Sequence, residues 1–222
     1  MAARGGLRRG STHLAAFDLD GTVIVPKSGK RFPEGADDWK FWHKTVPPAI
    51  RKLHASGYKV LIISNQLGVG LGRVSREEVQ GRLEQVVSAL GVPVDVYLSV
   101  KDDYYRKPRP GCWELATSPE RNAGLKAVLK ECIYVGDAAG RPEVKKPDKR
   151  NKDFSAGDLK LAMNVGICFQ TSEQFFLSSR KDVHCNRSVA LLGFSPATIP
   201  LAPARPLLLH NVKGATQDKC RG

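Results

Sequence analysis

Short apolar runs broken by polar or glycine-rich segments set the rhythm of this chain. His13-Leu14-Ala15-Ala16-Phe17 reads as a buried strand ending at Asp18. Tyr58-Lys59-Val60-Leu61-Ile62-Ile63-Ser64 is a second, of the continuous apolar kind that parallel sheets bury on both faces. Val94–Val100, Cys132-Ile133-Tyr134-Val135 and Gly166–Phe169 supply three more. Between them the period changes to that of helices. Pro47 and Pro48 open a helix carrying Ile50 and Leu53, and Gly57 ends it. Ser75 with Glu78 forms a capping box, after which Val79, Leu83, Val86, Val87 and Leu90 share one face as far as Gly91. Ser155 caps a last helix that runs through Met163.

The remaining segments read as connections. Residues 22–45, with Gly29, Pro33, Gly35 and several charges, predict a surface excursion or hairpin. Asn65–Arg73 predicts a glycine-rich loop, and residues 112–130 are ambiguous but include helix. Beyond about residue 178 periodicity fades, and Pro196, Pro200, Pro203 and Pro206 predict an extended strap. Alternation of strand and helix gives an α/β fold, a parallel sheet with helices on both faces. The expected organisation is a basic disordered N-terminus over 1–12, a folded domain over 13–178, an extended segment packed on it over 179–208, and a disordered tail over 209–222.

The 222 residues suffice for one α/β domain with tails. A formal net charge of +13 points to a polyanionic partner. The five cysteines are widely spaced with no CxxC pair, which argues against a zinc site or disulfide framework and for a reducing compartment. No apolar run approaches the roughly 18 residues of a membrane span, so no membrane partner is expected. Arg4, Arg8 and Arg9 with no early acid read as a basic tail, with a short organelle-targeting segment as the alternative.

Candidate chemistry gathers at strand ends. Asp18 and Asp20 lie one residue apart in Phe17-Asp18-Leu19-Asp20-Gly21-Thr22, so both project to one side where their strand ends. Open α/β sheets bind ligands in that crevice, and two carboxylates there call for a divalent cation. Ser64, Lys107 and Asp137 follow the next strands in turn. The set is coherent for phosphoryl chemistry. One carboxylate serves as nucleophile and a neighbour moves the proton. A hydroxyl and an ammonium hold phosphoryl oxygens, and a further acid completes a magnesium site. No GxxxxGK[ST] loop occurs.

This order of motifs resembles that of the haloacid dehalogenase-like phosphatases. Ile63-Ser64-Asn65-Gln66-Leu67-Gly68-Val69-Gly70, Tyr104-Tyr105-Arg106-Lys107-Pro108, Val135-Gly136-Asp137-Ala138-Ala139-Gly140-Arg141 and Lys152-Asp153-Phe154-Ser155 narrow the likeness. Together they resemble the phosphatase domain of polynucleotide kinase 3′-phosphatases, over residues 13–178, in a stand-alone form without the kinase domain. The resemblance implies a Rossmann-like sheet and removal of a 3′-phosphate from DNA strand breaks with Mg²⁺, through an aspartyl-phosphate. It makes Asp18 the nucleophile and Asp20 the acid/base, with Ser64 and Lys107 catalytic and, beside Asn65 and Arg106, phosphate-binding. Asp18, the Asp20 carbonyl and Asp137 become metal ligands, with Asp153 as their helper. Asp158 is expected in the first turn of the following helix, favouring its dipole. With neither the kinase domain nor a forkhead-associated domain, 5′-kinase activity and phosphopeptide docking should be absent. A monomer in the nucleus is the expectation.

Small-molecule relatives in that superfamily usually cover the site with a large cap domain. Residues 21–57 and 65–106 are too short for one, so no large cap is expected and the site should be open to a polymer. Arg141, Lys145, Lys146, Lys149, Arg150 and Lys152 outnumber Glu143 and Asp148 in the loop after Asp137, and make a candidate contact for a polynucleotide backbone. The partner is then DNA with 3′-phosphate ends, single-stranded or at nicks and gaps. Trp39, Phe41 and Trp42 are candidates for base stacking or, more commonly for such spacing, for core. Two alternatives remain at this stage. A small sugar phosphate phosphatase often carries a Cys/His zinc loop near the third motif, where this chain has only Cys112. A non-catalytic nucleic-acid-binding module would not need every catalytic residue type that is present.

Overall fold

The computed structural model describes residues 10–143, 145 and 151–179. The first strand, β1 (Leu14–Phe17), is wholly buried. It leads into a two-stranded antiparallel hairpin of β2 (Ile24–Val25) and β3 (Lys40–Phe41). Helix α1 (Val46–Ala55) follows, with prolines at its start where a missing N–H costs nothing. Next come β4 (Lys59–Asn65), a one-turn helix α2 (Leu67–Gly70) and the capping-box helix α3 (Arg76–Leu90), closed by Gly91 in the left-handed region. Strand β5 (Val94–Ser99), α4 (Gly111–Thr117), β6 (Ile133–Val135), α5 (Gly157–Val165), β7 (Cys168–Gln170) and α6 (Ser172–Leu177) complete the order.

The main sheet runs β5-β4-β1-β6-β7, and every pairing in it is parallel. On one face Phe17, Ile62 and Val135 pack with Ile50 of α1 and Val79, Val86 and Leu90 of α3. Helix α4 covers β4 and β5, and α5 covers β6 and β7. Strand order therefore reverses beside β1, which puts the ligand crevice at its carboxyl end. Register fixes what meets there. Phe17 pairs with Ile62 on one side and Val135 on the other, so Asp18 and Gly136 leave the sheet level with Ile63, one residue before Ser64 near the end of β4.

Several expectations shift. The loop foreseen over Asn65–Arg73 contains α2, whose Gly70 backs onto the Val100 carbonyl so closely that a Cβ would collide with it. The N-cap of α5 is Ala156 and not Ser155, whose Oγ instead accepts the Gly157 N–H at 3.2 Å, one residue ahead of the cap. Gly166 closes α5 at φ +82°, so β7 begins at Cys168. Helix α6, capped reciprocally by Thr171 and Gln174, was not foreseen. The end of the expected disordered N-terminus is held. Asn122, fully buried, accepts the Ser11 N–H at 3.1 Å and donates to its carbonyl at 2.9 Å. The strap and the tail, apart from Ser179, lie outside the described residues. Among the described residues no helix is long and apolar enough to cross a membrane.

Candidate active site

Asp18 follows directly on β1, its N–H bonded to the Val135 carbonyl at 2.9 Å. Lys107 reaches it from the loop before α4, its Nζ standing 2.5 Å from Asp18 Oδ1 and 2.8 Å from Asp158 Oδ1. The same ammonium lies 2.8 Å from the Ile63 carbonyl and 3.0 Å from the Tyr134 hydroxyl oxygen. An ammonium has three protons, so these four oxygens leave it none to spare. Lys107 thus fastens two carboxylates together. Asn65 fixes its backbone, accepting the Lys107 N–H at 3.0 Å and donating to its carbonyl at 3.1 Å. The Asn65 side chain, expected on phosphate, is therefore engaged in holding Lys107.

Asp18, Asp137 and Asp158 bring one oxygen each within 4.8 Å of one another. Three acceptor-only oxygens so close fit a hard divalent cation. Glycine makes the approach feasible. A Cβ on Gly21, which sits at φ +86°, would stand 2.5 Å from Asp137 Oδ2, and one on Gly136 would collide with the Asp158 carboxylate. The charge is correspondingly crowded. Burial pushes Asp18 well up, Lys107 opposes this, and Asp158, Asp137 and Asp20 add to it. Burial and Asp158 push Asp137 up to about 7. Burial works against the Lys107 charge, but Asp158 and Asp18 outweigh it and hold the proton firmly.

Asp20 stands apart from that group. Gln66 donates from Nε2 to Asp20 Oδ2 at 2.7 Å and to Ser64 Oγ at 3.0 Å, tying the acid to the strand-end hydroxyl. Asp20 Oδ1 is buried with no hydrogen-bond partner among the described residues, and burial raises its pKa against the pull of Gln66 and Arg82. Burial thus favours its protonated form. Arg106 likewise has a buried Nη1 without a partner.

Asp153, expected as the metal helper, lies outside the cluster. Its Oδ2 accepts from Ala139 N (3.2 Å), Arg141 N (2.9 Å) and Arg141 Nε (2.8 Å). Arg141 is buried and also pairs with Glu173 at 3.0 Å, so this expected substrate contact is tied into the protein. The acid beside the metal-type pair is Asp158. It does lie in the first turn of α5, but its Oδ1 meets Lys107 and its Oδ2 accepts the Ala138 N–H at 3.0 Å. Lys145 is exposed, and Lys146, Lys149 and Arg150 lie outside the described residues.

Sequence reasoning missed Gln66 and Tyr134. Tyr134 is fully buried, and its hydroxyl stands 3.1 Å from the Ile63 carbonyl and 3.2 Å from Asp158 Oδ1. A polar tip in mid-strand was its one signal. Trp39, Phe41 and Trp42 pack against the core and do not stand free for bases. Tyr104 and Tyr105 are 52% and 45% exposed, and the aromatics left most open among the described residues are Phe32, 62% exposed, and Phe154, 81% exposed. The Arg31 guanidinium lies over both, 5.2 Å from the Phe32 ring centre and 4.5 Å from that of Phe154. Both segments start at the site: the hairpin just past Asp20, and the Phe154 loop between Asp153 and Asp158.

Known proteins share the fold and much of the sequence. The fold resembles D,D-heptose 1,7-bisphosphate phosphatase from B. bronchiseptica, solved with magnesium and phosphate (TM-score 0.54, 18% identity, 76% of this chain and 87% of that one). It also resembles a protein from Mesorhizobium loti described as a HAD-like phosphatase (TM-score 0.56, 21% identity, 75% and 74%). In sequence the chain is 37% identical over 180 residues to a bifunctional polynucleotide phosphatase/kinase of Schizosaccharomyces pombe, covering 79% of this chain but only 40% of the relative. It is 37% identical to a 20.8 kDa protein of Autographa californica nuclear polyhedrosis virus, covering 78% of this chain and 90% of the viral one. It is 32% identical to the polynucleotide 3′-phosphatase ZDP of Arabidopsis thaliana, covering 76% of this chain and 24% of that one. The family model "Polynucleotide kinase 3 phosphatase" matches residues 13–176, which takes in every described residue of the site. The fold is that of the haloacid dehalogenase-like phosphatases, and the chain belongs to the polynucleotide kinase 3 phosphatase family.

Proposed function

We propose that this chain is a phosphatase acting on the 3′-phosphate of polynucleotide ends, DNA breaks above all. The observation that carries the reading is the pairing of Asp18, fastened by Lys107, with Asp20, whose Oδ1 has no hydrogen-bond partner among the described residues. In this reading an Asp18 oxygen attacks phosphorus, the bond from phosphorus to the 3′-oxygen breaks, and Asp20 gives that oxygen a proton. Asp20 then takes a proton from water as the water oxygen attacks the aspartyl-phosphate. Inorganic phosphate leaves, and Asp18 is restored. Ser64 and Arg106 would hold phosphoryl oxygens; the unpartnered Arg106 Nη1 supports that role. Asp18, Asp137 and Asp158 would hold Mg²⁺, which when bound offsets the charge gathered between carboxylates and phosphate.

The polymer is supported by what surrounds the site. Residues 21–57 fold as one small hairpin and one helix, and residues 66–106 as two helices and a strand; neither forms a covering domain. Phe32 and Phe154, both exposed, offer a stacking surface for the terminal base. Lys145, Lys146, Lys149 and Arg150, which follow Asp137 in the sequence, would by their charge meet backbone phosphates. The test is phosphate release from oligonucleotides phosphorylated at the 3′ or the 5′ end, beside a small phosphomonoester. A 3′ preference of about a hundredfold, equivalent to about 2.7 kcal/mol, is expected. Equal release from both ends would overturn the assignment and leave a phosphatase of other specificity.

A further inference from the structure

The hairpin tip is far more tightly built than its exposure requires. The Asp38 carboxylate accepts the Ser28 N–H at 2.7 Å, the Ser28 hydroxyl at 2.7 Å and the Glu34 N–H at 2.9 Å. Those bonds close a loop whose free end presents Arg31 and Phe32. Helix α3 grips the same loop from behind. Arg82 Nη2 donates to the Gly35 carbonyl at 2.7 Å, and Gln85 accepts from Trp39 Nε1 at 2.9 Å while donating to Asp37 Oδ1 at 2.6 Å. Gly81 faces Ala36 across the same contact. An ordinary surface turn needs no such clamp. Ordering exposed residues costs about 1–2 kcal/mol each in backbone entropy, which has to be offset by something.

We propose that Asp38 is a positioning residue for polynucleotide recognition, locking the hairpin tip from Ser28 to Glu34 so that Arg31 and Phe32 stand beside Phe154. This rests on the proposed action on polynucleotide ends. The choice of an acid at this place supports it. An anion on the rim of a site for a polyanion is unfavourable, and asparagine would be the electrostatically better residue. Only a carboxylate accepts all three bonds. The three donors hold Asp38 down to about pKa 2, chiefly the Glu34 N–H and then Ser28, so the lock stays closed at working pH. Preorganising the aromatic rim removes part of the ordering loss on binding.

The two effects of Asp38→Asn have opposite signs, which makes the test sharp. Removing a negative charge would lower KM for a polyanion; unlocking the tip would raise it. We expect KM for a 3′-phosphorylated oligonucleotide to rise about five- to tenfold, on the scale of a lost hydrogen bond to a charged group. Turnover of p-nitrophenyl phosphate should stay unchanged, because that substrate does not reach the rim. Gln85→Leu, which loosens the clamp from the α3 side, should act in the same direction. Asp38→Asn added to Phe32→Ala should cost little beyond Phe32→Ala alone, since the lock acts through that ring. An oligonucleotide KM unchanged or lowered by Asp38→Asn, an equal loss on the small substrate, or full additivity with Phe32→Ala overturns the proposal. If the wild-type protein leaves the 3′-phosphorylated oligonucleotide intact, the proposed function itself fails, which is read before any variant is made.

Discussion

Two buried cations each hold two carboxylates in this molecule, and the two clusters behave in opposite ways. Lys107 joins Asp18 to Asp158, and Arg141 joins Asp153 to Glu173. Around Arg141 it is Glu173 that is comfortable as an anion. Asp153 collects two backbone N–H groups besides the guanidinium, and although burial opposes it, Glu173 is held below the usual carboxylate range by its own N–H and Arg141. Around Lys107 the direction reverses, and burial with mutual repulsion pushes both Asp18 and Asp137 up. A planar fork with five donors closes a loop and is finished. A single ammonium among several carboxylates leaves negative charge over, and in the proposed function a cation answers that remainder.

Breaking one member of each cluster should therefore separate activity from stability. Asp18→Asn should cut phosphatase turnover by at least about 10⁴-fold, the scale at which a covalent nucleophile is lost. Its melting temperature should hold or rise, since one crowded charge is gone. Arg141→Met should do the reverse, costing about 3–5 kcal/mol of stability in denaturant titration by leaving two acids unpaired. The protein that remains folded should keep most of its turnover. A large activity loss at unchanged stability in the Arg141 variant would merge the two clusters into one.

A narrower comparison sets Asp158 against Asp153. Asp158→Asn should raise the Mg²⁺ concentration for half-maximal activity by at least the roughly 10–100-fold typical of changes around a metal site. Asp153→Asn should leave that concentration nearly unchanged. Magnesium titration of activity for both variants decides it, and the opposite ranking would return Asp153 to the metal.

That misplacement shows what the sequence carries and what it does not. β1, β4 and β6 are legible because their apolar runs are continuous, and Asp18, Ser64 and Asp137 are legible because each stands at or just past the end of its strand, where the register brings them close to one level. Asp153 and Asp158 sit in one segment after Asp137, only five residues apart, and no periodicity tells which turns inward. The choice is made by the bonds that close the loop, Gly140 N–H to the Ser155 carbonyl at 3.0 Å and Asp153 N–H to the Arg141 carbonyl at 3.0 Å. They face Asp153 toward Arg141, and α5 then carries Asp158 under Lys107. Tyr134 was hidden for a related reason. On a strand buried on both faces, an aromatic ring reads as core, and its hydroxyl gains meaning only once Lys107 arrives from 27 positions earlier.

The smallest effect expected is on stability against pH, and it too divides the clusters. With Asp137 at about 7 in the folded ion-free protein against an ordinary 3.8, the folded chain keeps a proton that the unfolded chain has already released. Its contribution is present below the ordinary value and lost as pH rises toward 7, so ion-free stability should fall through that window. One proton sets a ceiling of about 1.4 kcal/mol per pH unit, and each kcal/mol moves the melting point of a chain this long by about 2–4 °C. A divalent cation competes with that proton. The rise in melting point on adding Mg²⁺ should therefore be small at pH 5 and grow toward pH 8, as thermal melts in chelator and in Mg²⁺ would record. Asp137→Asn should flatten the dependence, whereas Arg141→Met should leave its slope in place on a lower baseline. A slope that vanished with Arg141 and survived without Asp137 would mean that the strained charge lies in the other cluster.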